Sequence, residues 1–348
     1  MKKINYLIIL IPVSFLLINI KVSAIIIFLM SCMAIVPLVL ILSKSTEEIT
    51  RYTGPKTGGL LNATMSNIPE LMIGISTVRA GLYELVLYSM AGAIIGNILL
   101  VLGISIFVGG LGRKYQYFDK YNARSNFLLL ITCAFSIIVP FALSQSVKIT
   151  NSALINVSLL ISLILLMTYV SGLIFTLVTH KSIFISSSEV YQEQKSRSSL
   201  KKAVLMLILA AVLIALDSSI LVSQISILIN QYSVSEVFIG IIVIPMLGNV
   251  AENMSAVLMA IKDKVDVSIE IAIGSSIQIA LFVAPLLILV AFILGNPMAY
   301  VFGGFEIVAV LASIGVSLFV FQDGRTNWLE GIVLTGGYLM LAAAFFFL

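Results

Sequence analysis

Charge is scarce in this sequence, and so are the residue types that carry most metal and catalytic chemistry. Only 10% of the 348 residues are charged, 60% are hydrophobic, and the mean hydropathy is +1.15. A soluble domain of this length cannot hide so much apolar surface, so lipid must solvate part of it. There is one histidine, His180, in a polar stretch, and there are two cysteines, Cys32 and Cys133, each inside an apolar run. A disulfide framework is excluded, no His/Cys cluster suits zinc or copper, and both cysteines read as small core hydrophobes. HExxH and GxSxG are absent, which argues against an intramembrane enzyme. Gly109, Gly110 and Gly112 make no phosphate loop. The formal charge of +4 comes from loop Lys and Arg, which point to membrane orientation rather than nucleic acid.

What the chain has in excess is apolar runs. Spans are expected at about 4–20, 22–43, 57–79, 83–110, 124–144, 151–178, 202–230, 234–261, 265–294, 300–320 and 325–348, about eleven helices in an all-α membrane protein. The first run follows Lys2 and Lys3, yet no small-residue cleavage motif comes after Ile20, so it reads as an uncleaved helix. With the N-terminus in the cytoplasm, all of the 20 Lys and Arg except Lys21, Arg79 and Lys148 fall on the cytoplasmic side. This positive-inside bias predicts an N-terminus inside and a C-terminus outside, in a cell membrane. The segment 44–56 reads as a short amphipathic connection.

Two stretches repeat each other without a gap. Gly58 meets Gly240, Asn67 meets Asn249, Glu70 meets Glu252 and Gly92 meets Gly274, all at one offset (240 − 58 = 182). The pairing divides the chain into an extra helix at 1–21, a five-helix unit at 22–178, a cytoplasmic linker at 179–201 and a second five-helix unit at 202–348. Five is odd, so the second unit enters the membrane from the opposite side, and the repeats are inverted. Broken spans in paired halves mark transport sites.

The chemistry of the repeated motif follows from its setting. Asn67 and Glu70 share a helix face, as do Asn249 and Glu252. A mid-membrane carboxylate costs at least about 2.5–3.5 kcal/mol, so each glutamate needs a partner, a proton or a cation. Two converging carboxylates neutralise one divalent ion, and amides and carbonyls complete a hard-oxygen shell. Left empty, such a site takes up protons, because two close carboxylates repel in a low dielectric. Glu70 and Glu252 are therefore candidates for both metal binding and proton coupling. Pro69 and Pro245 each free a carbonyl four residues back, on Met65 and Ile241. Asn97 and Gln278 are buried amides in the following helices. Gly92, Gly96 and Gly274 allow close backbone approach, with Ser275 and Ser276 beside them. Glu306 reads either as a proton-path residue or as a helix tether. Asp217 stands in an apolar helix and is a candidate for an ion path.

At these residues the chain resembles the cation/proton exchanger family of the calcium:cation antiporter superfamily. TEEITRYTGPKTGGLLNATMSNIPE (Thr46–Glu70) is similar to that family's first motif, GNVAENMSAVLMAIKDKVDVSIEIAIGSSIQ (Gly248–Gln278) to its second, and FQDGRTNWLEGIVL (Phe321–Leu334) to its C-terminal signature. The similarity runs from about residue 42 to the end. It implies calcium export driven by proton entry and alternating access. It also implies Glu70 and Glu252 as central ligands, with Asn97, Ser275, Gln278 and carbonyls in support. Asn67 and Asn249 match the Asn of each acidic motif. No resident cofactor is expected: Ca²⁺ and H⁺ are cargo, lipid is the partner, and homo-oligomerisation is left open. Some positions depart from the family. Ser66, Ile68 and Pro69 surround the first motif, Ala93 stands for a common Ser, Asn253 for a common His, and Ser219 for a Glu. The Pro69–Glu70 pair resembles sodium/calcium exchangers of the same superfamily, which keeps Na⁺ coupling, or a preference for Mn²⁺, as the alternative.

Overall fold

The computed structural model describes residues 9–19, 22–146, 149–179 and 199–348. His180 and most of the expected linker lie outside the described residues. Twelve helices are described: α1 Leu10–Asn19, α2 Ala24–Met65, α3 Ile68–Arg79, α4 Tyr83–Gly110, α5 Lys120–Ser144, α6 Asn151–Thr179, α7 Leu200–Tyr232, α8 Glu236–Gly248, α9 Val250–Ile261, α10 Val265–Ile293, α11 Gly304–Val320 and α12 Trp328–Phe347. Two short strands, β1 Gln116–Tyr117 and β2 Arg325–Thr326, pair antiparallel.

Among the described residues, six helices are long and apolar enough to cross a membrane, and the bent pair α8–α9 makes a seventh. Shorter apolar helices cover Leu128–Ser144 and Gly304–Val320. The chain is a multi-pass membrane protein, although eleven spans are not reached by this measure. Helix α1 is described over only 10 residues, and the third expected span is split at Ser66–Asn67.

The expected connection 44–56 is itself helical. Arg51 bonds back to Glu47 and Glu48, at 2.6 and 3.4 Å, and such i, i+3 and i, i+4 pairs favour helix. Helical residues run over Ala24–Met65, and the apolar span within them ends at Thr53. The path is nevertheless not straight. A Cβ on Gly58 would lie 3.0 Å from Cβ of Thr50. Eight residues along a straight helix span about 12 Å, so the chain doubles back between them. Glycine at 58 makes that approach feasible.

Two apolar cores result. One joins α1, α2 and α7 through Ile11, Ile35, Leu38, Ile214 and Leu221. The other is built on α4 and α10, with α5, α6, α11 and α12 around it. Lipid-facing stripes are left on the outside, such as Leu160, Ile164 and Met167 on α6 or Leu205, Ile208 and Val212 on α7. At one end, three loops expected in the cytoplasm are tied together. Arg113 pairs with Asp263 at 3.2 Å, the Asp119 amide donates to Asp266, and Arg325 stacks over Tyr115 at 4.7 Å.

Candidate functional site

Each repeated motif sits where a helix breaks and restarts. Asn67 (φ −89°, ψ 6°) opens α3 and Asn249 (φ −93°, ψ 12°) opens α9, both in the sparsely populated bridge region. Each amide Nδ2 donates to the carbonyl four residues back: Asn67 to Ala63 at 2.9 Å, Asn249 to Pro245 at 3.2 Å. The Pro245 carbonyl also accepts from the Asn249 backbone N–H at 3.2 Å. The α8–α9 bend is 66°.

The breaks fall at the asparagines rather than at the prolines, which corrects the sequence reading. Pro69 lies in the first turn of α3, where a missing N–H costs nothing. Pro245 follows a π-helical turn, Ile239–Val243, and the Ile241 carbonyl faces Gly92 of α4 rather than a cation. A second π turn in α4, Gly96–Val101, has its counterpart in α10 at Ile279–Val283. Such turns recur at functional sites.

The seven candidate ligands come together. Asn67 Nδ2 donates to Gln278 Oε1 at 2.6 Å, and the Ser66 hydroxyl approaches the same oxygen at 3.4 Å. Asn97 Nδ2 donates to Ser275 Oγ at 3.0 Å, and that hydroxyl donates to Asn249 Oδ1 at 3.1 Å. Six polar side chains are thus joined in two groups of three, each including one residue of α10. Glu70 is buried, with Oε1 packed over Gly248, where a Cβ would come within 2.7 Å. Glu252 stands beside Ser275 and Ser66, and its charge acts on Glu70. One carboxylate oxygen of each glutamate is buried without a hydrogen-bond partner. Among the described residues no three Asp, Glu, His or Cys side chains converge on one point. A divalent ion here would rest on two carboxylates, with amide and hydroxyl oxygens completing its shell, which suits a hard cation.

A cavity of about 340 Å³ reaches the site. Glu252, Ser66, Ser275 and Gln278 lie in its wall, with Thr176 and Glu270 further out. Gly274 also lines it, and a Cβ there would meet nothing within 4 Å. At the matched position in the other half, a Cβ on Gly92 would strike the backbone of Ile241. Gly240 is sealed in the same way, by Tyr88.

Other expectations sort differently. Glu306 occupies the first turn of α11, its carboxylate folded over Gly303. Asp217 is fully buried in α7. Both cysteines are free. Sequence reasoning missed Tyr169, which stacks on Phe282, bonds the Ala63 carbonyl at 3.2 Å and lines the cavity. It also missed Glu270. A lone Tyr in an apolar helix and a Glu near a helix start carry no motif.

Known proteins resemble this chain over most of its length. The family described as sodium/calcium exchanger protein matches residues 23–178 and 202–347. The Ca²⁺/H⁺ antiporter ChaA of Bacillus subtilis is 38% identical over 327 residues, covering 93% of this chain and 92% of its own. A Ca²⁺/H⁺ antiporter of Synechocystis is 37% identical, covering 92% and 91%. Native YfkE superposes with a TM-score of 0.83 at 35% identity over 97% of each chain. An H⁺/Ca²⁺ exchanger, CAX, shares the fold at 16% identity, with a TM-score of 0.73 over 99% of this chain and 91% of its own.

Proposed function

Because this chain belongs to the sodium/calcium exchanger protein family, we propose that it exports Ca²⁺ across a cell membrane in exchange for protons. The observation that carries this reading is the pairing of Glu70 and Glu252, from two helix breaks of the same geometry, in one amide-lined site. The names of the 34–38% identical relatives support Ca²⁺ and H⁺ as cargo. Two carboxylates balance one Ca²⁺. When Ca²⁺ leaves, protons replace it, since an empty pair of buried carboxylates is costly. Exchange follows because the site is stable with either cargo and unstable with neither.

The repeats supply the alternation. The units 22–178 and 202–348 are inverted copies, a division supported by the two stretches of the family match. The cavity runs from Glu252 past Thr176 and Glu270 towards the end carrying Arg113, Asp263 and Arg325. That end is cytoplasmic by the positive-inside distribution, with the N-terminus inside and the C-terminus outside. In this conformation the site faces the cytoplasm. Gly92 against Ile241 and Tyr88 against Gly240 close the opposite side. Exchanging the roles of the two halves would turn the site outward.

Flux in proteoliposomes tests the proposal. An inside-acid or inside-alkaline gradient should drive Ca²⁺ against its own gradient, with H⁺ moving the other way. Flux driven by Na⁺ and indifferent to pH would replace protons with Na⁺, as the Pro69–Glu70 pair suggests. Downhill Ca²⁺ flux without any counter-ion would make the protein a channel.

A further inference from the structure

Away from the midplane site, one buried carboxyl group has no part in the exchange described above. Asp217 lies within α7 and is 0% exposed. Neither of its carboxylate oxygens has a hydrogen-bond partner. Ser218 beside it and Ser31 on α2 are equally buried, and both hydroxyls are unpartnered too. The Ser31 side chain faces the Asp217 carboxyl across the α2–α7 seam. The Asp217 carboxyl and the Ser31 hydroxyl therefore meet in a seam otherwise built from Ala34, Ile35, Leu38, Ile214 and Leu221, with Ser218 next along α7.

No charged partner compensates Asp217 from the elements packed there. Helix α1 has no titratable side chain over Leu10–Asn19. On α2, the titratable neighbour that feels Asp217 is Cys32. Lys44, Glu47, Glu48 and Arg51 begin about 20 Å further along α2 at helical rise. Helix α3 also packs on α7 and carries Glu70 and Arg79, but neither contributes to the electrostatic surroundings of Asp217.

We propose that Asp217, Ser31 and Ser218 form a second proton site, placed between the first helices of the two halves and separate from the Glu70–Glu252 pair. The charge arithmetic selects the ligand. One carboxylate balances one positive charge, so a divalent ion would stay half neutralised. Ca²⁺ also wants about six to eight oxygens, more than these three side chains offer. A proton needs no further ligand. The carboxylic O–H donates to the Ser31 hydroxyl across the seam, so both groups gain a partner. Because the site shares no ligand with the glutamate pair, Ca²⁺ and this proton do not compete.

Infrared spectroscopy of the full-length protein in liposomes tests the assignment. Saturating Ca²⁺ displaces protons from the glutamate pair, so a carboxylic C=O stretch that persists reports another acid. The expected result is a Ca²⁺-resistant band in the wild type that loses intensity in Asp217→Asn and shifts in Ser31→Ala and Ser218→Ala. A wild-type spectrum with no Ca²⁺-resistant carboxylic band overturns the proposal without any variant. So does an Asp217→Asn spectrum identical to the wild type. A band that disappears when Na⁺ or Li⁺ replaces choline assigns the pocket to a small metal ion and overturns it as well. The Asp217→Asn difference can also be read in Ca²⁺-free buffer, so this proposal and the antiport reading fail separately.

Discussion

Gly92 and Gly274 occupy matched positions in the two halves and live in opposite surroundings. A side chain on Gly92 would strike the backbone of α8, whereas a side chain on Gly274 would enter open cavity. The sequences around them are similar enough that composition does not account for the difference. The same structural element is held in two states at once, one packed and one parted, and on the proposed mechanism those states exchange during transport. The glutamates repeat the contrast: Glu70 is buried under Gly248, and Glu252 lines the cavity.

The largest expected effect comes from asking whether the two glutamates are equivalent despite that contrast. Glu70→Gln and Glu252→Gln should each abolish Ca²⁺ exchange in proteoliposomes while the protein stays folded. Losing one charge half-neutralises a divalent ion in a low dielectric and should weaken binding by several kcal/mol. Calorimetry on both variants checks it, and substantial flux through either one would mean that the pair is not a single site.

A cheaper substitution acts on the glycines themselves. Gly92→Ala should destabilise the present conformation by about 1–3 kcal/mol, as overpacking against backbone does. Gly274→Ala should leave it unharmed and instead hinder the opposite conformation. Labelling of a Ser255→Cys reporter in the cavity wall, applied from the cytoplasmic side, should fall in the first variant and hold or rise in the second. Equal labelling in both would break the comparison.

The asparagines offer a milder contrast. Asn67→Ala strips Gln278 of its donor, and Asn249→Ala strips Ser275 of its acceptor. Each should cost about 1–3 kcal/mol where a polar group is left unpaired, seen as roughly tenfold weaker Ca²⁺ binding. Acidification should weaken binding in the wild type and in both variants, because protons compete for carboxylates that neither change removes. Binding titrations at several pH values, with proton release measured in parallel, check the sign.

The smallest effect concerns two matched turns. Gly81 (φ 76°) and Asp263 (φ 63°) are both in the left-handed region, again 182 residues apart (263 − 81). Gly81→Ala should cost about 1–2 kcal/mol. Asp263→Gly should recover part of that strain, less a weak exposed pair with Arg113. Thermal unfolding in detergent should move in opposite directions.

Much of this was legible because membrane burial leaves so few polar residues to choose from. Asn67, Asn97, Asn249, Ser275 and Gln278 stood out in apolar runs, and the structure joins them by hydrogen bonds. What stayed hidden depends on geometry that spacing does not encode. Proline marks an interrupted ladder in sequence, yet Pro69 settles into a first turn where no ladder is needed, and the asparagines make the breaks. The reversal between Thr50 and Gly58 falls where a connection was expected, at a Gly54–Pro55 pair, although helical structure extends further into it than the sequence suggests. Tyr169 could not be distinguished from any other aromatic in a lipid-facing segment.

The glycines at the far end of α4 have a mechanical consequence. Gly103 and Gly331 bring the backbones of α4 and α12 into direct contact, and Gly110 abuts Trp328 where α12 begins. The strands β1 and β2 stitch the same two helices together just beyond. Backbones packed this closely cannot part without opening a void, so α4 and α12 travel as one body. The first belongs to the leading half of the chain and the second to the trailing half. On the proposed mechanism, any body that includes α4 therefore carries α12 with it, across the boundary between the two halves.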